Sequence, residues 1–62
     1  MIREEMFTNI ENMYGADSPF TQLFKSTLDW ESNGWNNAMI SALYDSLIYA
    51  MTYYPEKIKE KN

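Results

Sequence analysis

The side chains able to do chemistry in this chain are carboxylates, hydroxyls and lysines. There is no histidine and no cysteine. That leaves no imidazole base, no thiolate nucleophile, no disulfide and no cysteine- or histidine-ligated metal. Glu4 and Glu11 lie seven residues apart with Thr8 between them, so a helix would put both acids on one face. Such a pair can move protons or hold magnesium. The same spacing is also what the solvated side of an amphipathic helix looks like, and that reading is preferred. Asp29 and Glu31 are two apart, so on a helix they point in different directions. Ser18, Ser26, Ser32, Ser41 and Ser46 have no nucleophile-elbow context and nothing to activate them. Gly15 and Gly34 stand alone, outside any phosphate-binding loop pattern. No catalytic, cofactor-binding or metal-ligating residue is expected, and so no enzyme.

The elements that must carry these residues follow from hydrophobic periodicity. Ile2, Met6, Phe7, Ile10, Met13 and Tyr14 fall on one side of a helical wheel, opposite Glu4, Glu5, Thr8, Glu11 and Asn12. A helix over 2–14 follows, stopped by Gly15. Asp17 or Ser18 suits an N-cap, and Pro19 suits a first turn. The helix they open, over 18–30, groups Phe20, Leu23, Phe24, Thr27 and Leu28 on one face. Asn33-Gly34 also fits a hairpin turn, but Asn36-Asn37-Ala38-Met39 does not alternate as a strand must. A third helix, over 36–54, repeats Ile40, Leu43, Leu47, Ala50 and Tyr54 at three-four spacing, with Met39, Tyr44, Met51 and Tyr53 flanking. Its apolar arc is wider than the roughly 100° that a one-sided surface helix needs, so it should be covered from two directions. Pro55 ends it.

The fold class predicted is therefore all-α: three helices in one domain over 1–55, with a charged tail over 56–62. The predicted core is Phe7, Ile10, Phe24, Leu28, Leu43 and Leu47. The absence of valine argues against a β protein, and ten aromatic residues argue against disorder.

A chain of 62 residues buries only roughly 60% of its unfolded surface, yet this one also carries five methionines and two tryptophans. Self-association or partner binding is the usual outcome for such a chain. A homodimer through the third helix is expected, with Ile40, Leu43, Leu47, Met51 and Tyr54 at its interface. Trp30 and Trp35 bracket the second turn, where at least one of them should close the open end of the core.

Nine acids against five bases give a formal net charge of −4. That argues against direct nucleic-acid binding and for a partner with a basic patch. Trp35, Tyr49 and Tyr53 are the expected anchors for such a partner, oriented by Asp45 and Glu31, because tryptophan and tyrosine dominate binding energetics. Asp45 equally reads as a plain surface residue. The functional expectation is a small acidic inhibitor or adaptor, of the kind found in phages and other mobile elements, that covers a protein surface without turnover. A DNA mimic is a narrower alternative, thinly supported by nine acids. A membrane anchor over 38–54 is a third reading, weakened because a central Asp45 costs about 2.5–3.5 kcal/mol on insertion scales. Met1-Ile2-Arg3-Glu4-Glu5 is charged too early for a secretory leader, so a cytoplasmic location is expected.

Overall fold

The computed structural model describes residues 2–29 and 34–59. Within them lie three helices of more than two turns, α1 (Arg3–Tyr14), α2 (Pro19–Thr27) and α3 (Asn37–Tyr53), and one short turn of helix, α4 (Pro55–Lys59). No strand occurs among the described residues. The small all-α architecture is the expected one.

Local chemistry sets the helix ends. α1 opens without a side-chain cap, but Glu4 and Glu5 in its first turn complement the positive end of its dipole. It stops at Gly15, whose φ of 94° and ψ of 150° lie in a region that essentially only glycine occupies. The Gly15 N–H donates to the Glu11 carbonyl at 2.8 Å. Ser18, one of the two expected caps, accepts from the Phe20 N–H at 3.1 Å, and Pro19 follows it in the first turn. Asn36 caps α3 by accepting from the Met39 N–H at 2.9 Å.

α2 is shorter than predicted. It ends at Thr27 with Leu28 as its cap, not near residue 30. Two hydroxyls in its last turn, Ser26 and Thr27, donate back to the carbonyls of Leu23 and Phe24, each at 2.7 Å. Such back-bonding competes with the regular backbone ladder. The Leu28 N–H then reaches the Lys25 carbonyl three residues back at 3.1 Å, which tightens and closes the turn. Trp30 lies outside the described residues.

The three long helices enclose a core of Met6, Ile10, Phe24, Ile40 and Leu47. Phe7, Leu28 and Leu43, expected at its centre, are half-buried and pack on its flank, while Met6 and Ile40 take the interior places. α2 sits rotated from the expected face. Leu23 and Phe20 are 48% and 38% exposed, and Thr21 goes inside beside Phe24 and Thr27, which the expected face included. Both threonines are tolerated there because each hydroxyl has a carbonyl to donate to: Gly15 at 2.6 Å for Thr21, Phe24 at 2.7 Å for Thr27.

Three polar contacts relate α1 to α3. Arg3 Nη2 donates to Asn37 Oδ1 at 2.8 Å, Asn9 Nδ2 to Tyr44 Oη at 2.9 Å, and Tyr14 Oη to the Leu47 carbonyl at 2.7 Å. The partners climb both helices in the same order, so α1 and α3 run parallel. Tyr14 also stacks on Phe20 at 5.0 Å, and Phe24 meets Tyr44 at 6.2 Å. α3 is thus covered by both α1 and α2, as its wide apolar arc predicts.

Candidate binding face

Once α1 and α2 take the side of α3 that carries Ile40 and Leu47, the helical period decides what faces outward. Ala38, Ala42, Asp45, Tyr49 and Tyr53 recur at three- and four-residue steps and are all exposed, with Ser41, Ser46 and Thr52 alongside. Charge is scarce here: Asp45 is the single charged residue among the 17 of α3. A helix face turned to solvent ordinarily carries charged side chains. This one grades from alanine at its N-terminal half to tyrosine at its C-terminal half.

The tyrosine end is organised. Tyr49 and Tyr53, one turn apart, hold their ring centroids 4.5 Å from each other at 41°. The Tyr54 ring sits 6.2 Å from Tyr49. The chain leaves helical geometry at Tyr54 (φ −133°, ψ 44°) ahead of Pro55, which places this third ring beside the first two. The three remain 56%, 63% and 53% exposed. Rings packed on one another lose little further freedom on binding, and tyrosine brings both apolar area and a hydroxyl.

The expected binding residues separate accordingly. Asp45, Tyr49 and Tyr53 come together on one stripe. Trp35 does not join them: it is half-buried against the core, closing the open end beside α3, which is the packing role considered for it above. Glu31 lies outside the described residues. The expected dimer interface also divides. Ile40 and Leu47 are 0% and 5% exposed, inside the protomer's own core, and cannot meet a second copy; Leu43 is half-buried against the same core. The physical reason is that α1 and α2 together cover this seam, so the three-four repeat marks the intramolecular contact. Met51 is half-buried and Tyr54 exposed.

Sequence reasoning passed over Ala38 and Ala42, which complete the outer stripe. The signal was present: both lie on the wheel position opposite Ile40 and Leu47. Tyr14 and Tyr44 were passed over as well, and each uses its hydroxyl to join helices. Burial raises the Tyr14 hydroxyl above its ordinary pKa.

A cleft of about 410 Å³ opens where the N-terminal ends of α1 and α3 meet, lined by Ile2, Arg3, Glu4, Met6, Asn37 and Ser41. Its polar wall already includes the contact between Arg3 and Asn37, with the Glu4 carboxylate beside it. No group of three acidic side chains close enough to hold a metal ion occurs among the described residues. No helix among them is long and apolar enough to cross a membrane. Comparison of the chain with protein-family models, with curated proteins and with solved structures finds no match to any of them.

Proposed function

We propose that this protein acts by stoichiometric binding, without turnover, covering a basic surface on a protein partner with the outer face of α3 and thereby blocking it. The observation that carries the reading is the uncharged, tyrosine-bearing exterior of α3 around Asp45. Interface cores are depleted of charge and enriched in tyrosine relative to ordinary surface. The net charge of −4 supplies steering toward a cationic patch. Affinity comes from Tyr49 and Tyr53, since buried aromatic anchors contribute about 2 kcal/mol or more each while exposed ion pairs contribute about 0–1.

The test is capture of binding proteins from lysate with the tagged chain, side by side with a Tyr49→Ala/Tyr53→Ala variant whose helicity is checked by circular dichroism. The expected result is a basic protein retained by the first and lost by the second. Its association should slow as salt rises from about 0.05 to 0.5 M, because screening shortens the Debye length several-fold. Identical retention by both chains refutes the anchors. A salt-independent association rate refutes the steering.

A further inference from the structure

We infer that the outer face of α3 also docks on itself: two copies pair antiparallel across a two-fold axis that runs between the paired helices at the level of Asp45 and Ser46. The reasoning starts from size. Along the exposed stripe, small side chains (Ala38, Ala42) occupy the N-terminal half and large ones (Tyr49, Tyr53) the C-terminal half, with Asp45 at the middle of Asn37–Tyr53. An isologous contact requires a surface complementary to itself after a half-turn. A half-turn between residues 45 and 46 sets Tyr49 over the partner's Ala42, and Tyr53 over the partner's Ala38. Each tyrosine thereby meets the gap left by a methyl group, and both pairs are satisfied by the same axis. A parallel pairing would set tyrosine against tyrosine and alanine against alanine, leaving one end crowded and the other hollow.

Charge allows this occupant without favouring it. Two copies of a chain with net charge −4 repel each other. They repel least through a face that bears a single acid, and α3 offers one 17 residues long. At ~1.5 Å per residue that face is about 25 Å in length. A single pair of helices of that length buries less than the roughly 1,200 Å² of a standard interface, so the dimer is a weak one. The same register brings the two Asp45 carboxylates close to the axis, where each weakens the pairing.

This pairing goes beyond the proposed function, because it requires no other protein. It makes the second copy and a basic partner competitors for the same tyrosines. Asp45 separates the two: replacing it with asparagine removes repulsion from the self-pairing and removes attraction for a cationic partner.

The experiment is sedimentation equilibrium of the purified chain over a concentration series. The weight-average mass should rise from 7.4 kDa toward twice that value. Ala42→Glu puts a carboxylate beneath the partner's Tyr49 and should move the association midpoint up by about tenfold or more, as burying an unpaired charge does. Asn12→Glu adds the same charge on the exposed side of α1 and should leave the midpoint within about twofold, since α1's outer side takes no part. Alanine and asparagine at these exposed helical sites tolerate glutamate, and unchanged circular dichroism confirms the fold of both variants. Asp45→Asn should lower the midpoint several-fold. A mass that stays at 7.4 kDa to about 1 mM overturns the proposal. So does an Ala42→Glu midpoint equal to that of the unaltered chain, or a weaker dimer with Asp45→Asn.

Discussion

Replacing Tyr14 with phenylalanine removes one oxygen and leaves the ring that stacks on Phe20 at 5.0 Å. What is lost is the 2.7 Å bond from Tyr14 Oη to the Leu47 carbonyl, the uppermost of the three polar contacts between α1 and α3. The Leu47 carbonyl lies within α3, where its backbone ladder partner remains, so no buried acceptor is orphaned. The cost is therefore that of an ordinary intramolecular hydrogen bond, about 0.5–1.5 kcal/mol, without a desolvation penalty added. A chain of this size has a total stability of about 3–9 kcal/mol, at ~0.05–0.15 kcal/mol per residue. The loss is thus a sizeable share of the whole. In thermal unfolding it corresponds to a fall in Tm of about 4–8 °C for each kcal/mol. The assay is a circular dichroism melt at 222 nm, read at several protein concentrations so that association does not enter the comparison. An unchanged Tm would refute the reasoning by showing that the bond contributes nothing beyond what water supplies to the unfolded chain. A loss well above about 3 kcal/mol would refute it in the other direction, since a single neutral bond cannot account for it.

Because burial raises the pKa of the Tyr14 hydroxyl above 10.0, its protonated form is favoured in the folded state. The stability this gives is fully present below the ordinary tyrosine pKa and is lost as pH rises through the higher folded value. The stability gap between the parent chain and Tyr14→Phe should therefore narrow above pH 10, measured by denaturant unfolding across that range. Gly15→Ala meets open space, with nothing within 4 Å, yet should destabilise by about 1–3 kcal/mol from backbone strain alone at φ 94°; its midpoint in urea reports this. Asn36→Ala removes the acceptor for the Met39 N–H and should cost about 0.5–2 kcal/mol in the same measurement, with the fold retained.

The helix boundaries that were legible are those marked by residues with a strong local preference: Gly15 after a periodic run, Ser18-Pro19 before one, and Pro55 after the last. The wide arc of α3 correctly announced two covering neighbours. What the pattern could not convey was which neighbours. A three-four repeat of Ile40, Leu43 and Leu47 looks the same whether α1 and α2 or a second copy covers it, because periodicity records burial and not its partner. The rotation of α2 was hidden for a related reason. Thr21 ranks as polar, and only the presence of the Gly15 carbonyl makes it cheaper to bury than Leu23. The outer stripe of α3 was half visible: the tyrosines and Asp45 stand out by type, whereas Ala38 and Ala42 are set apart only by what they lack. Trp35 was open to two readings because large aromatic residues serve cores and interfaces equally well; it packs half-buried against the core.

The three contacts between α1 and α3 have one more consequence, for how the chain finds its register. Packed apolar side chains tolerate sliding by a helical turn, since a displaced Leu or Ile finds another groove of similar depth. The pairs Arg3–Asn37, Asn9–Tyr44 and Tyr14–Leu47 are separated by 34, 35 and 33 residues, a nearly constant offset. A slip of one turn, about 5.4 Å, separates Arg3 from Asn37 and Asn9 from Tyr44, whereas Tyr14 would meet another backbone carbonyl of α3. The first two work as index marks, setting the height of one rod against the other. Each pair joins the two ends of the chain around α2, so none can close until the middle has folded back. Amide protection in α3 should accordingly appear late, after the chain has folded back far enough for Asn9 to reach Tyr44.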